Sequence, residues 1–236
     1  MINWIIMSCI LHIETATDVC SVAVSQDGAL IFQQTEMEGR SAAQCLGGMV
    51  DEALSFADSH AIPFDAVAVS KGPGSYTGLR IGVSMAKGVC YALGLPLIAL
   101  PTLEVMCVPV LLAHDDLPAD SLLCPMIDAR RMEVYTALYT RALNTVSAVE
   151  AKVIDSTSFA EQLDQHPIYF FGNGADKCRE VITHPNAHFL PGIVPQAKWM
   201  SPLAEKAHAR GQFEDVAYFE PFYLKEFVAK PSKKLI

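Results

Sequence analysis

The run Gly72-Pro73-Gly74-Ser75-Tyr76-Thr77-Gly78 is the first stretch whose residue types could do chemistry. A glycine-rich turn between a strand and a helix aims backbone N–H groups and the positive end of the helix dipole at an anion. The position suits phosphate; the spelling does not. A phosphate loop needs a lysine after its second glycine and none follows Gly78, while the dinucleotide pattern G-x-G-x-x-G misses by one residue. Ser75 has glycine one residue before it and three after, whereas a nucleophile elbow needs two and two, so serine hydrolysis is disfavoured as well. A tight structural turn is the better reading. His184 and His188 have the spacing of metal ligands on one helix face, but Pro185 and Asn186 break that helix and no carboxylate in the segment completes a set. A surface loop is expected there, with no metal.

Glu14 and Asp128 are more suggestive, because each ends an apolar strand at a tight turn and is followed by an antiparallel partner strand. Two such carboxylates across a cleft could hold metal or water, the arrangement of a nucleotide-dependent hydrolase or peptidase. Neither turn, Thr15-Ala16-Thr17 or Ala129-Arg130-Arg131, has the glycine that lets backbone approach a phosphate. Nucleotide binding by this chain alone is therefore not expected.

The elements that must position these residues repeat once. Alternating apolar residues predict strands at 8–14, 19–25 and 29–36, a helix over 41–58 capped by Ser41, a buried strand at 65–71, a helix over 79–93 closed by Gly94, a short strand to Leu100 and a helix near 102–114 troubled by Pro109. The second half predicts strands near 121–128, 132–140 and 146–154, a helix near 157–165, a strand at 168–172 and a helix near 175–183. A last helix runs from Ser201 as cap, with Pro202 at its first position, to about Arg210, and a basic tail covers 229–236. Two β-β-β-α-β-α lobes, 1–115 and 116–236, are expected to face each other across a cleft.

Two helices are apolar on too many sides. In 79–93, Leu79, Val83, Ala86, Cys90 and Leu93 make one stripe suited to a sheet; Ile81, Met85, Gly88 and Ala92 make a second, with Arg80 and Lys87 the only charges. In 41–58, Ala42, Cys45 and Met49 lie off the Leu46-Val50-Leu54 stripe. The excess makes either an exposed patch or two helices buried in one thick domain.

Composition narrows the classes. Seventeen Lys and Arg against 26 Asp and Glu give a net charge of −9, so no global positive field draws the chain to nucleic acid or anionic lipid. Seven scattered cysteines, none spaced C-x-x-C, argue against a disulfide framework or a zinc site and for buried thiols in a reducing cytoplasm. The apolar start, 1–13, has no Lys or Arg before Arg40 and no small-x-small cleavage site, so it reads as a strand with a leader, and Met7 begins a cleaner version of the same strand. No apolar run is long enough to span a membrane.

The run 71–82, beginning at Lys71 and including the turn above, resembles the signature of the bacterial TsaB (YeaZ) family of tRNA threonylcarbamoyladenosine biosynthesis proteins. The stretch 9–25 is similar to that family's opening strand, turn and strand, 127–135 to its second-lobe hairpin, and Gly172-Asn173-Gly174-Ala175 to its late glycine turn. The resemblance implies an α/β, actin-like (ribonuclease H-like) fold of two lobes. It implies a non-catalytic subunit supporting a TsaD-type catalytic subunit, joined by a TsaE-type ATPase, with tRNA bound through the complex and a homodimer when alone. ATP and metal then belong to the partners, since 101–106 has none of the paired histidines that TsaD carries after the corresponding helix. Glu14, where the family commonly has Asp, and Asp128 become inherited cleft residues. Partner binding is expected on Ala42, Cys45, Met49, Arg80, Ile81, Met85, Gly88 and Ala92.

Overall fold

The computed structural model describes residues 8–37 and 41–225; the expected leader and basic tail lie outside them. The first half consists of β1 (Cys9–Glu14), β2 (Cys20–Gln26), β3 (Ala29–Glu36), α1 (Ala42–Ser59), β4 (Ala66–Gly72), α2 (Tyr76–Leu93), β5 (Leu97–Pro101) and α3 (Thr102–Ala113). The second consists of β6 (Leu122–Asp128), β7 (Glu133–Thr140), β8 (Thr145–Val153), α4 (Ala160–Leu163), β9 (Ile168–Phe171), β10 (Ala187–Leu190) and α5 (Ser201–Ala209). The two five-stranded sheets have orders β3-β2-β1-β4-β5 and β8-β7-β6-β9-β10, so the repeat in the sequence is a repeat of topology. In each, three antiparallel strands continue into two parallel ones.

Burial explains the strands. Every residue of β1 is buried, because β1 is central and both its faces are covered. Leu11 and Ile13, with Val67 and Val69, face α1 and α2; Ile10, with Ala66, Ala68 and Ile98, faces α3 and α5. Alanine dominates the second set, which lets helix backbones come close to the sheet.

α3 is apolar all round, and a helix of that kind belongs in an interior. Val105 packs against the first sheet, while Leu103, Met106, Cys107 and Val110 pack against Leu123, Ile127, Tyr139 and Phe171 of the second. One helix therefore serves both cores, and it continues through Pro109 to Ala113.

Several elements differ from expectation. The helix near 157–165 shortens to α4 because Phe159 has φ 64°, outside helical space. The helix near 175–183 is a 3₁₀ turn, Asp176–Cys178, and the presumed loop beyond it contains β10, paired in parallel with β9. The second lobe thus has a fifth strand where β-β-β-α-β-α order called for a helix. Ser201 is not a cap: a 3₁₀ turn, Ala197–Met200, runs straight into α5, and the Ser201 hydroxyl donates instead to Gly28 O at 3.0 Å. Division of the chain at 115/116 is not division by packing, since Ala197, Met200, Ala204 and Ala207 pack on the first sheet and Ala197 N donates to Ser21 Oγ at 2.8 Å. Residues 211–225 return there too, with Glu214 N donating to Leu97 O at 2.8 Å and Phe222 N to Lys71 O at 2.7 Å.

Because α3 is shared, Leu103→Ala is expected to cost about 2–5 kcal/mol in urea unfolding, the range for a buried leucine that leaves a cavity. A loss below about 1 kcal/mol would show that the two sheets do not depend on this helix.

Candidate functional site

The glycine-rich turn is filled by the chain itself. α2 begins at Tyr76, three residues earlier than the spacing predicts, so Tyr76, Thr77 and Gly78 are its first turn and Ser75 its N-cap, accepting from Gly78 N at 3.3 Å. The β1–β2 turn lies directly against it. A Cβ on Gly74 would stand 2.3 Å from Ala16 O, and one on Gly78 would stand 2.1 Å from Thr15 O. Ser75 N donates to Ala16 O at 2.7 Å, and Thr15 Oγ1 donates to Gly78 O at 2.8 Å. Gly72, at φ 109°, leaves room for Phe222 O, which a Cβ would meet at 2.6 Å. These glycines permit backbone-to-backbone contact within the protein. Gly82 belongs with them, since its missing Cβ admits Thr15 Oγ1; its four-residue spacing from Gly78 was the available signal.

The two carboxylates have different surroundings. Glu14 is fully buried; Oε1 accepts from Ala16 N at 2.6 Å and Oε2 has no partner. Burial pushes its pKa up to about 7, against the smaller lowering effect of N–H groups from its own turn and of the nearby Ser70 hydroxyl. That hydroxyl is close enough to act on the carboxyl, yet neither it nor Oε2 completes a hydrogen bond. Asp128 is exposed; its Oδ1 accepts from Arg130 N at 3.0 Å and pairs with the Lys177 ammonium. Asn173 Oδ1 accepts from Asp128 N at 3.0 Å. One carboxyl is enclosed and proton-retaining, the other exposed and charge-paired, so they do not make a matched pair of ligands. Among the described residues no group of three or more His, Cys, Asp or Glu could hold a metal ion. His184 contacts Asp164 at 3.4 Å, and His188 lies in β10, stacked on Tyr169 at 4.8 Å.

A groove of about 960 Å³ lies elsewhere, along the outer side of α1 and α2. Arg80, Ile81, Met85, Gly88 and Ala92 line it from α2, with Ala43 and Leu54 from α1. Ala42, Cys45 and Met49 do not line it; they are half-buried against the core beneath α1. Both charges of α2 are held at its flanks. The Arg80 guanidinium lies 5.7 Å over the Tyr76 ring, which itself stacks on Tyr223 at 4.6 Å, and Lys87 Nζ donates to Ala217 O at 3.0 Å and Phe219 O at 3.1 Å. What remains open is mostly apolar, with Thr77 and Ser84 also lining the groove and Leu93 51% and Tyr91 88% exposed at the far end of the helix. Gly47, Gly48 and Gly88 are helical glycines facing open space. Each costs its helix about 0.5–1 kcal/mol relative to alanine, and no contact within the chain accounts for them.

Doubled sheets of identical order, joined by a shared helix, define the actin-like (ribonuclease H-like) class of α/β protein. The chain matches the family described as TsaD, tRNA N6-adenosine threonylcarbamoyltransferase, over residues 36–231. It is 30% identical over 229 residues to the tRNA threonylcarbamoyladenosine biosynthesis protein TsaB of Escherichia coli (strain K12), covering 93% of this chain and 96% of that one. To the protein of the same name from Bacillus subtilis (strain 168) it is 28% identical over 177 residues, 73% of this chain and 74% of the relative. The solved YeaZ from Pseudomonas aeruginosa superposes with a TM-score of 0.75 at 27% identity, covering 92% of this chain and 100% of that one. The chain belongs to the TsaB (YeaZ) family.

Two contrasts test this geometry. Gly78→Ala should lower stability by several kcal/mol, because the backbone oxygen in its way cannot rotate aside, while Gly88→Ala should leave the melting temperature unchanged or raise it; equal effects would mean that the turn is not packed as described. For Glu14, the folded pKa near 7 exceeds the unfolded value near 4.5, so its contribution to stability falls as pH rises through that window and stays low above it. His12, fully buried with a pKa lowered to about 3, opposes this from pH 6.5 downward. Glu14→Gln should therefore gain on the parent chain as pH rises from 4.5, by up to about 3 kcal/mol above pH 7, measured as the difference between paired urea titrations. A difference independent of pH would rule out the enclosed, proton-retaining carboxyl.

Proposed function

We propose that the chain is a non-catalytic subunit in tRNA threonylcarbamoyladenosine biosynthesis, and that the α1/α2 groove seats a TsaD-type catalytic subunit. The observation that carries this reading is the groove: mostly apolar, lined by Ile81, Met85 and Ala92, with the helical Gly88 leaving space for another backbone. A continuous apolar face of this kind on a protein surface marks an interaction site. The names of its relatives supply the pathway, and the family model supplies the TsaD-type partner. In this reading ATP and metal are brought by the catalytic subunit and a TsaE-type ATPase, tRNA is engaged through the assembly in the cytoplasm, and in the partner's absence two copies of the chain share the same groove. No helix among the described residues is long and apolar enough to cross a membrane. The hydrolase alternative asks Glu14 and Asp128 to act together on a ligand, and the burial of Glu14 speaks against it.

Met85→Glu places an unpaired charge in the groove. It is expected to weaken association with the TsaD-type subunit at least 100-fold, as for a desolvated, unpaired charge costing about 3–5 kcal/mol, with the melting temperature of the free chain nearly unchanged. Light scattering after gel filtration measures the first and thermal unfolding the second; a complex that survives the substitution places the interface elsewhere. Glu14→Asn/Asp128→Asn should lower stability modestly and leave partner-dependent tRNA modification intact in a reconstituted assay. Collapse of modification at unchanged melting temperature would assign chemistry to the carboxylates.

A further inference from the structure

The β6–β7 turn carries charge that the chain itself does not use. Arg130 and Arg131 stand side by side at φ 72° and 50°, a left-handed backbone that glycine or asparagine adopts far more readily. Both are exposed, and neither guanidinium makes a hydrogen bond or ion pair among the described residues. The turn is braced from within. Ala129 N donates to Glu133 O and Glu133 N to Arg130 O, both at 3.1 Å, and Asp128 Oδ1 accepts from Arg130 N at 3.0 Å. Behind it Asn173 Oδ1 accepts from Asp128 N, which leaves the Asn173 amide nitrogen with its N–H donors.

Two lysines flank the arginines. Lys177 pairs with Asp128 and donates to Glu133 O at 2.7 Å, and Lys225, from the segment that follows α5, pairs with Glu133. Asp176, beside Lys177, answers to Arg179 at 4.0 Å. Each of these carboxylates is matched by a cation of its own, so the two arginines remain as uncompensated charge. A chain of net −9 thereby presents an exposed corner of positive charge. That corner adjoins the groove: Tyr223, two residues before Lys225, stacks on Tyr76 of the groove lining at 4.6 Å.

A guanidinium offers coplanar N–H donors that fit the edge of a carboxylate or a phosphate. A single carboxylate occupies one arginine, whereas adjacent arginines beside a free amide suit a ligand whose negative charge repeats. Binding such a polyanion also gains from the counterions that each neutralised phosphate releases. We propose that Arg130, Arg131 and the Asn173 amide form a contact for the phosphodiester backbone of RNA, with Lys177 and Lys225 at its edges. The inference rests on the reading that this chain serves tRNA modification within an assembly, and it gives the chain a tRNA contact of its own next to the seat of the catalytic subunit. Phosphate contacts orient a nucleic acid without reading its sequence, so the turn holds the tRNA body and leaves recognition of the target base to the partner.

The test titrates a tRNA transcript against the full chain in complex with the TsaD-type subunit, over a range of salt concentrations. Arg130→Asn/Arg131→Asn removes both charges and suits the left-handed backbone, so the fold is kept. It is expected to weaken binding about tenfold or more, and to make the slope of log affinity against log salt shallower by about 1.5. Arg130→Lys/Arg131→Lys should keep most of that slope, and Lys198→Ala/Arg210→Ala, the same change in net charge elsewhere, should leave it as in the parent. Unchanged affinity and slope in an intact complex overturn this contact and leave the subunit reading standing, whereas a parent chain that forms no complex overturns both. Loss of the complex itself in the asparagine variant assigns the arginines to the partner protein and overturns the RNA contact. So does an equal loss in the Lys198/Arg210 pair, which shows attraction to net charge alone, and so does a loss seen on phosphatidylglycerol vesicles and not on tRNA.

Discussion

Everything on the first lobe's outer side depends on one contact, the β1–β2 turn resting on the first turn of α2. The Thr15 and Ala16 carbonyls occupy the space that side chains at Gly78 and Gly74 would fill. Backbone-to-backbone approach of that kind fixes a helix more closely than side-chain packing, since no rotamer can adjust to relieve it. With α2 fixed, α1 packs beside it over Leu46, Val50 and Ala53, and the groove takes its shape from both. A sequence feature that looks like a phosphate seat is a joint in this protein.

The interior behind that joint is electrically quiet. His12 is held neutral, and burial raises the thiols of Cys9 to about 11 and Cys124 to about 12, so these sulfurs behave as small apolar groups. Six of the seven free cysteines are buried. The acidic balance of the chain is carried at its surface, while α3, almost without polar side chains, lets two sheets share one continuous core.

How much of this was legible varies with the length of each signal. β1, β2, β4 and β6 could be read within a residue or two, because burial on both faces writes long apolar strings. The start of α2 could not: Gly78 looks like turn, and only contact with Thr15 explains a glycine inside a helix. β10 was hidden for a different reason, since four residues after His184-Pro185-Asn186 carry too little periodicity to outweigh turn signals, and pairing with β9 decides them. In the groove, the second stripe of α2 was legible from an excess of apolar residues over what one face needs. Ala42, Cys45 and Met49 lie off the Leu46-Val50-Leu54 stripe as the spacing suggests, but they rest half-buried against the core and do not line the groove, a packing that the sequence does not encode locally.

The segment 211–225 carries a consequence for the order in which the protein can be completed during synthesis. Phe222 closes over Gly72, Lys87 grips the carbonyls of Ala217 and Phe219, and the alanine face of the first sheet is covered by α5. Those covering residues are translated after the strands of the second lobe. A nascent chain that has emerged only through β5 therefore exposes one apolar side of its first sheet, which α3 covers in part at once and α5 completes only after the second lobe has followed. The first lobe is first in sequence yet is sealed only after the second lobe has been made, and the contacts that hold Lys87 on α2 join it at that late stage.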